Sequence, residues 1–257
     1  MPDPSPELQA ALDAARAAAE IIRALYLRNV HVTEKADRSP VTEADVRAEE
    51  AIRAVLRERF PRYGFYGEET GRHDLSAESL WLVDPLDGTK SFIRDCPFFS
   101  TQIALMRAGR LVLGVSSAPV YGEVAWAEEG RGAFLNGTPM RVSRITDLAS
   151  AILSSGNLAT LARAADRWQR FGSLVGRISR LRGYGDFVHY HLLARGSLDI
   201  VVESDVGILD VAALAVIVRE AGGVFTDLEG RELDLDTTSA LAANPALHPL
   251  VCEALRR

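Results

Sequence analysis

Two cysteines in 257 residues, Cys96 and Cys252, are too few for a disulfide framework, and they read as the reduced thiols of a cytoplasmic protein. No basic cluster is present. Lysine and arginine number 29 against 35 acids, a formal charge of −6, which argues against a nucleic-acid surface. Long apolar runs are missing: the longest, residues 211–218, falls far short of the roughly 18–20 residues that span a bilayer. The opening Met1-Pro2-Asp3-Pro4-Ser5-Pro6 lacks a basic stretch followed by an apolar one, so no secretion signal is expected. The five histidines (His31, His73, His189, His191, His248) have no metal-ligand spacing and read as packing or surface residues. No repeat or low-complexity tract interrupts the chain. What is there, 47% apolar and 25% charged residues, is ordinary for a globular protein with a sizeable core.

One dozen residues carries most of the chemical information: Trp81-Leu82-Val83-Asp84-Pro85-Leu86-Asp87-Gly88-Thr89-Lys90-Ser91-Phe92. Three apolar residues form the end of a buried strand. Asp84 and Asp87 follow, three apart around Pro85, and a helix start is expected at Gly88 and Thr89. Carboxylates hold hard cations such as Mg²⁺, and free N–H groups at a helix start hold a phosphate. One loop thus offers both requirements of a metal-assisted phosphatase. Glu68 and Glu69 follow a short aromatic run, Asp210 opens an apolar helical run, and Lys35 to Asp45 forms a polar hairpin leading into a helix start. Read from the residues alone, the Thr89 hydroxyl is a helix cap. Lys35 either balances the acidic cluster or contacts the phosphate, or is equally a solvated loop lysine, and Asp37 is left between capping and metal gating. Lys90 sits unfavourably for a cation near a helix N-terminus, which gives it a candidate role facing the phosphate or a carboxylate.

These segments, in this order, resemble the inositol monophosphatase family of Mg²⁺-dependent, lithium-sensitive phosphatases, over about residues 5–256. The resemblance implies an α-β-α-β-α sandwich with the site between two halves, and a homodimer. It implies two to three Mg²⁺ ions: one on Glu68, Asp84 and the Leu86 carbonyl, a second on Asp84, Asp87 and Asp210, and a weaker third on Glu68 and waters. It makes Thr89, backed by Asp45, the residue that orients the nucleophilic water, and gives the phosphate to the Gly88 and Thr89 amides. Glu203, seven residues before Asp210, matches the position that contacts substrate hydroxyls. Asp186, in Gly185-Asp186-Phe187, together with the Lys90 that follows Thr89, looks more like the histidinol-phosphate phosphatase branch, with Asp186 placed as a further substrate contact. Acids at that end suit a leaving group carrying an ammonium and an imidazole. Leu209 stands where the family usually has tryptophan. The substrate alternatives are myo-inositol 1-phosphate, fructose 1,6-bisphosphate and adenosine 3′,5′-bisphosphate. A non-catalytic metal-binding regulator ranks below all of these, because no expected ligand is missing.

Periodicity gives a helix over residues 6–29, with an apolar stripe of Leu8, Leu12, Ala15, Ala19, Ile22 and Leu25, and a second over 42–60 capped by Thr42. Strands are expected near 63–67, 80–84, 99–108, 111–119 and 123–128, largely antiparallel, with a tight turn at Asn136-Gly137. From about 149 strands and helices alternate: strand 151–155, helix 157–172, strand 179–183, helix 186–195, strand 198–203, helix 210–221, strand 224–226 and helix 246–255. A soft boundary near residue 148 divides an N-terminal α+β half (1–148), carrying most of the metal ligands, from a C-terminal α/β half (149–257), carrying Asp210 and the substrate contacts.

Overall fold

The computed structural model describes residues 4–28, 31–34 and 40–256. The first half runs α1 (Pro6–Leu25), β1 (Val32–Glu34), β2 (Pro40–Thr42), α2 (Glu43–Arg59), β3 (Gly64–Gly67), β4 (Gly71–His73), β5 (Ser79–Asp87), α3 (Thr89–Ile93), β6 (Ser100–Arg107), β7 (Arg110–Ala118), β8 (Glu123–Glu128), β9 (Ala133–Leu135) and β10 (Thr138–Pro139). The second runs β11 (Ile152–Ser155), α4 (Ala159–Arg163), α5 (Ala165–Val175), β12 (Arg180–Arg182), α6 (Asp186–Ala194), β13 (Ile200–Ser204), α7 (Ile208–Glu220), β14 (Val224–Thr226), β15 (Ser239–Ala243) and α8 (His248–Arg256).

Two sheets organise the molecule. Eight strands order as β10-β9-β8-β7-β6-β5-β3-β4, antiparallel except for the parallel pair β3–β5. Five order as β12-β11-β13-β15-β14, with β12, β11 and β13 parallel. Side chains alternate across each strand, and this alternation builds the layers. Trp81, Val83, Ile103 and Leu105 face one way, into a core shared with Leu8, Ala11, Ala15, Ile22, Ile52 and Leu56 of α1 and α2. Leu80, Leu82, Ala104 and Met106 face the other way, against Tyr190 of α6 and the apolar α7. The five-stranded sheet covers the far side of α6 and α7 through Val201, Phe225 and Ala242, and turns Leu153, Ile200, Val202 and Leu241 outward onto α5 and α8. The result is the expected α-β-α-β-α sandwich. Each large apolar side chain so buried contributes about 1.5–3 kcal/mol.

The helix at the centre of this stack is apolar all round, as a helix between two sheets must be. Nearly all of α7 is buried, and Asp210 is the acid of its first turn. Its distance from the eight-stranded sheet is set at Gly114 of β7: a Cβ there would overlap the Ala213 carbonyl oxygen.

Several expectations are refined. The helix expected over 157–172 is divided at Ala164 into α4 and α5, and the first turn of α4 is tied by the Thr160 and Leu161 N–H groups to Asp205 and Ser204 at and just after the end of β13. The first helix ends at Leu25, and Asn29, its expected end, lies outside the described residues. The antiparallel pair β1–β2 flanks the polar hairpin expected before α2, and the strands β4, β9, β10 and β15 are additions to the expected elements.

Gly114→Ala is expected to destabilise the fold by about 1–3 kcal/mol through overpacking, read as a lowered midpoint in urea unfolding. A midpoint equal to that of the parent would mean that α7 is not held at this contact.

Candidate active site

Asp84 and Asp87 are three apart, so on an uninterrupted strand they would point to opposite faces. They do not, because β5 carries a bulge. Asp84 pairs with Gln102 and Asp87 with Ser100, so the strand gains one residue on its partner between them. The Leu86 N–H donates to Asp84 Oδ1 (2.9 Å) and Thr101 Oγ1 donates to the Pro85 carbonyl (2.9 Å), which holds the bulge. Both carboxylates thereby meet Asp210. One oxygen from each of Asp84, Asp87 and Asp210 lies within 4.8 Å of the others, Asp84 buried and the other two half-buried. Asp210 is oriented from its own helix: the Gly207 N–H donates to Asp210 Oδ2 at 2.7 Å.

Among the described residues no lysine or arginine forms an ion pair with any of these three acids. Burial pushes the Asp84 and Asp87 carboxyls well above the usual range. Neighbouring carboxylates add to this, Glu68 first for Asp84 and Asp186 first for Asp87. Asp210 is pushed up to about 6 by burial, with Glu68 and Glu203 adding to it. Three convergent oxygen donors with no positive partner among the described residues fit a hard divalent cation. Glu68 is exposed, at the end of β3, and its charge acts directly on Asp84, Asp45 and Asp210.

Thr89 is the first residue of α3, not its cap. The cap position is Gly88, in the left-handed region at φ 95°, where a Cβ would also press on the Phe98 carbonyl oxygen at 2.5 Å. The Thr89 hydroxyl instead lies 2.8 Å from Asp45 Oδ1 and 3.1 Å from the Leu86 carbonyl, donating its one proton between them. The other oxygen of Asp45 accepts the Thr42 N–H (2.8 Å) and hydroxyl (2.5 Å), closing the cap of α2. Burial raises the Asp45 carboxyl above its ordinary value even against these hydrogen bonds.

A cleft beside the acids is lined by Asp87, Asn157, Asp186, Tyr190, Glu203 and Asp210. Burial and Glu203 push Asp186 up to about 6. Burial also acts upward on Glu203, but His189, Tyr190 and the Asn157 N–H outweigh it and hold that carboxyl below its ordinary value. Asp186 adopts the left-handed region at φ 45° after Gly185 at φ 73°.

The structure therefore brings together Asp45, Glu68, Asp84, Leu86, Asp87, Gly88, Thr89, Asp186, Glu203 and Asp210. Lys35 and Asp37 lie outside the described residues. Lys90 is exposed. His189 and His191 are both buried and hydrogen-bonded, His189 to Glu203 and Ser154, His191 to Glu123 and Ser116. One buried acid beside the site has no counterpart among the expected residues. Glu49, wholly buried on α2, accepts the Glu69 N–H (2.8 Å) and the Thr70 N–H (2.7 Å), and so carries the turn that presents Glu68. Its signal was an acid on the apolar stripe of a helix, one turn after Asp45 and one before Ile52.

The description "Inositol monophosphatase family" belongs to a family model that matches residues 3–257. A histidinol-phosphatase of Mycobacterium tuberculosis is 40% identical over 97% of each chain. "Inositol monophosphatase 3" of Solanum lycopersicum is 37% identical over 96% of each. Among solved structures, an extragenic suppressor protein suhB from Bartonella henselae superposes with a TM-score of 0.88 at 30% identity, covering 98% of this chain and 99% of that one.

A carboxyl whose pKa is raised by folding stabilises the protein fully only below its unfolded value, near 3.8, and loses that contribution as pH rises through about 6. The protein held metal-free with EDTA is therefore expected to lose on the order of 1–3 kcal/mol between about pH 4 and pH 6, measured by thermal unfolding. Mg²⁺ at neutral pH restores it, and Asp210→Asn flattens the slope. A melting temperature insensitive to both pH and Mg²⁺ would contradict this electrostatic picture.

Proposed function

The chain belongs to the inositol monophosphatase family, and from that premise we propose that it hydrolyses the phosphate ester of a small amino alcohol, L-histidinol phosphate, with myo-inositol 1-phosphate as the second reading. That the protein is a phosphoric monoester hydrolase acting on a small phosphate ester follows from the family, which is Mg²⁺-dependent in general. The substrate assignment rests on one observation. Asp186 and Glu203 line the same cleft as Asp87 and Asp210, yet neither belongs to the convergent set Asp84, Asp87 and Asp210. Two acids are thus left over at the leaving-group end. They complement a cationic leaving group better than a neutral polyol. Glu203 is also able to accept from hydroxyls, which keeps inositol phosphate as the second reading, and the relatives carry both names.

Glu68, Asp84, the Leu86 carbonyl, Asp87 and Asp210 would hold two Mg²⁺ ions, with a weaker third on Glu68. Mg²⁺, when bound, lowers the pKa of a coordinated water and neutralises charge on the phosphate. The remaining work belongs to the chain. Thr89 donates toward Asp45, which leaves its oxygen lone pairs free to accept from a water and aim it. Asp45 Oδ1, whose carboxyl is already raised by burial, is the acceptor that polarises this contact. The Gly88 and Thr89 N–H groups stand at the start of α3, outside the helical ladder, and hold the phosphate. The halves 1–148 and 149–257 work as one unit with the site between them. A homodimer in the cytoplasm completes the reading.

Asp84→Asn and Asp210→Asn are expected to lower phosphate release at least about a hundredfold while circular dichroism stays that of the parent. Full activity in either variant would remove the metal assignment. Asp186→Ala is expected to lower kcat/KM for L-histidinol phosphate about tenfold more than for myo-inositol 1-phosphate. Equal losses on the two substrates would remove the specificity role of Asp186 and favour the second reading.

A further inference from the structure

Glu203 is buried on β13, and its two oxygens are treated differently. Oε2 accepts from His189 Nε2 at 3.0 Å and from the Tyr190 hydroxyl at 2.7 Å. Oε1 accepts only the Asn157 N–H, at 3.3 Å, and lies against the backbone of Gly156, where a Cβ would overlap it. A carboxylate oxygen has two lone pairs, so Oε2 is saturated and Oε1 retains capacity toward the cleft that Asn157, Asp186 and Glu203 share.

His189 has a second partner. Its Nδ1 lies 3.2 Å from Ser154 Oγ on β11, and the same Oγ accepts the Tyr184 N–H at 3.2 Å. Each group is used once if His189 Nε2–H donates to Glu203, Ser154 O–H donates to Nδ1, and Tyr184 N–H donates to Ser154 Oγ. Tyr184 precedes the strained Gly185-Asp186 pair. One imidazole therefore connects both acids of the leaving-group end. It fixes Glu203 directly, and it reaches the Asp186 turn through Ser154.

We propose that His189 is a positioning residue for leaving-group recognition: with Ser154 it turns the Glu203 carboxylate so that Oε1 meets the substrate, and it ties that carboxylate to the turn carrying Asp186. The inference rests on the reading of Glu203 as a substrate contact. His189 is wholly buried, so it touches no substrate and acts only through Glu203 and Ser154. A hydrophobe of similar size would fill the space but supply no donor. Glu203 would then lose one of the two bonds that saturate Oε2 and be held by the Tyr190 hydroxyl and the Asn157 N–H alone.

The test compares His189→Leu, His189→Gln, Glu203→Gln and the double variant His189→Leu/Glu203→Gln. The substrates are L-histidinol phosphate and p-nitrophenyl phosphate, whose leaving group has no ammonium. Loss of a hydrogen bond to a charged group predicts that His189→Leu raises KM for L-histidinol phosphate about tenfold or more. Its kcat on p-nitrophenyl phosphate stays within about twofold of the parent. His189→Gln, whose amide is able to donate, recovers most of the KM. The double variant is no worse than Glu203→Gln, because both changes remove the same function. Equal losses on the two substrates, no rescue by glutamine, or KM effects that multiply in the double variant would each overturn the proposal and leave His189 a core residue. If Glu203→Gln alone leaves KM for L-histidinol phosphate unchanged, the reading of Glu203 itself fails, and the proposal with it. Should His189→Leu not fold, Ser154→Ala carries the test: a smaller KM rise confined to L-histidinol phosphate supports the coupling, and no change overturns it.

Discussion

Negative charge gathered away from water, with no positive partner among the described residues, is the constraint to which the rest of this molecule answers. Asp84, Asp87 and Asp210 converge to within 4.8 Å, and burial with mutual repulsion raises all three carboxyls. Such a cluster is costly in an isolated fold. The cost is a reason to bind a divalent cation, since neutralising the cluster converts a destabilising feature into a ligand set. Stability and catalytic competence are thereby linked to the same ion.

Holding three like charges together takes rigid supports from separate layers. The β5 bulge turns two acids to one face, and the hydrogen bonds from Leu86 and Thr101 keep it turned. Asp210 comes from α7, whose distance from the sheet is set by backbone contact at Gly114. Glu49 carries the turn of Glu68 by two backbone N–H groups. Asp45 serves two elements at once, capping α2 with one oxygen and holding Thr89 with the other. The site is assembled from elements distant in sequence. It sits on secondary structure rather than on free loops, which is how first-contact residues are kept in place.

Much of this was legible before any coordinates. The Asp84-Pro85-Leu86-Asp87-Gly88-Thr89 run announces carboxylates beside a helix start, and the long amphipathic pattern of α1 announces a helix packed on a sheet. The spacing of Asp84 and Asp87 was visible, but the reason they share a face was not, because a bulge depends on the partner strand. Strand β15, Ser-Ala-Leu-Ala-Ala, carries residues of low strand propensity; its place between β13 and β14 overrides that preference. The break at Ala164 likewise has no local signal, since neither glycine nor proline stands there. The histidines lacked metal spacing and gave no hint of what they do. His189 acquires a role only when α6 is laid against β13, which brings it to Glu203.

The most direct measurement is phosphate release by the purified protein, with Mg²⁺ and with EDTA, from L-histidinol phosphate, myo-inositol 1-phosphate, fructose 1,6-bisphosphate and adenosine 3′,5′-bisphosphate side by side. The account predicts release that EDTA abolishes and that favours L-histidinol phosphate about tenfold or more, the scale of one charge-assisted contact. Release unaffected by EDTA would contradict the reading of the acidic cluster as a metal site. Metal-dependent release with a preference for a bisphosphate would contradict the reading of Asp186 and Glu203 as partners of a cationic leaving group.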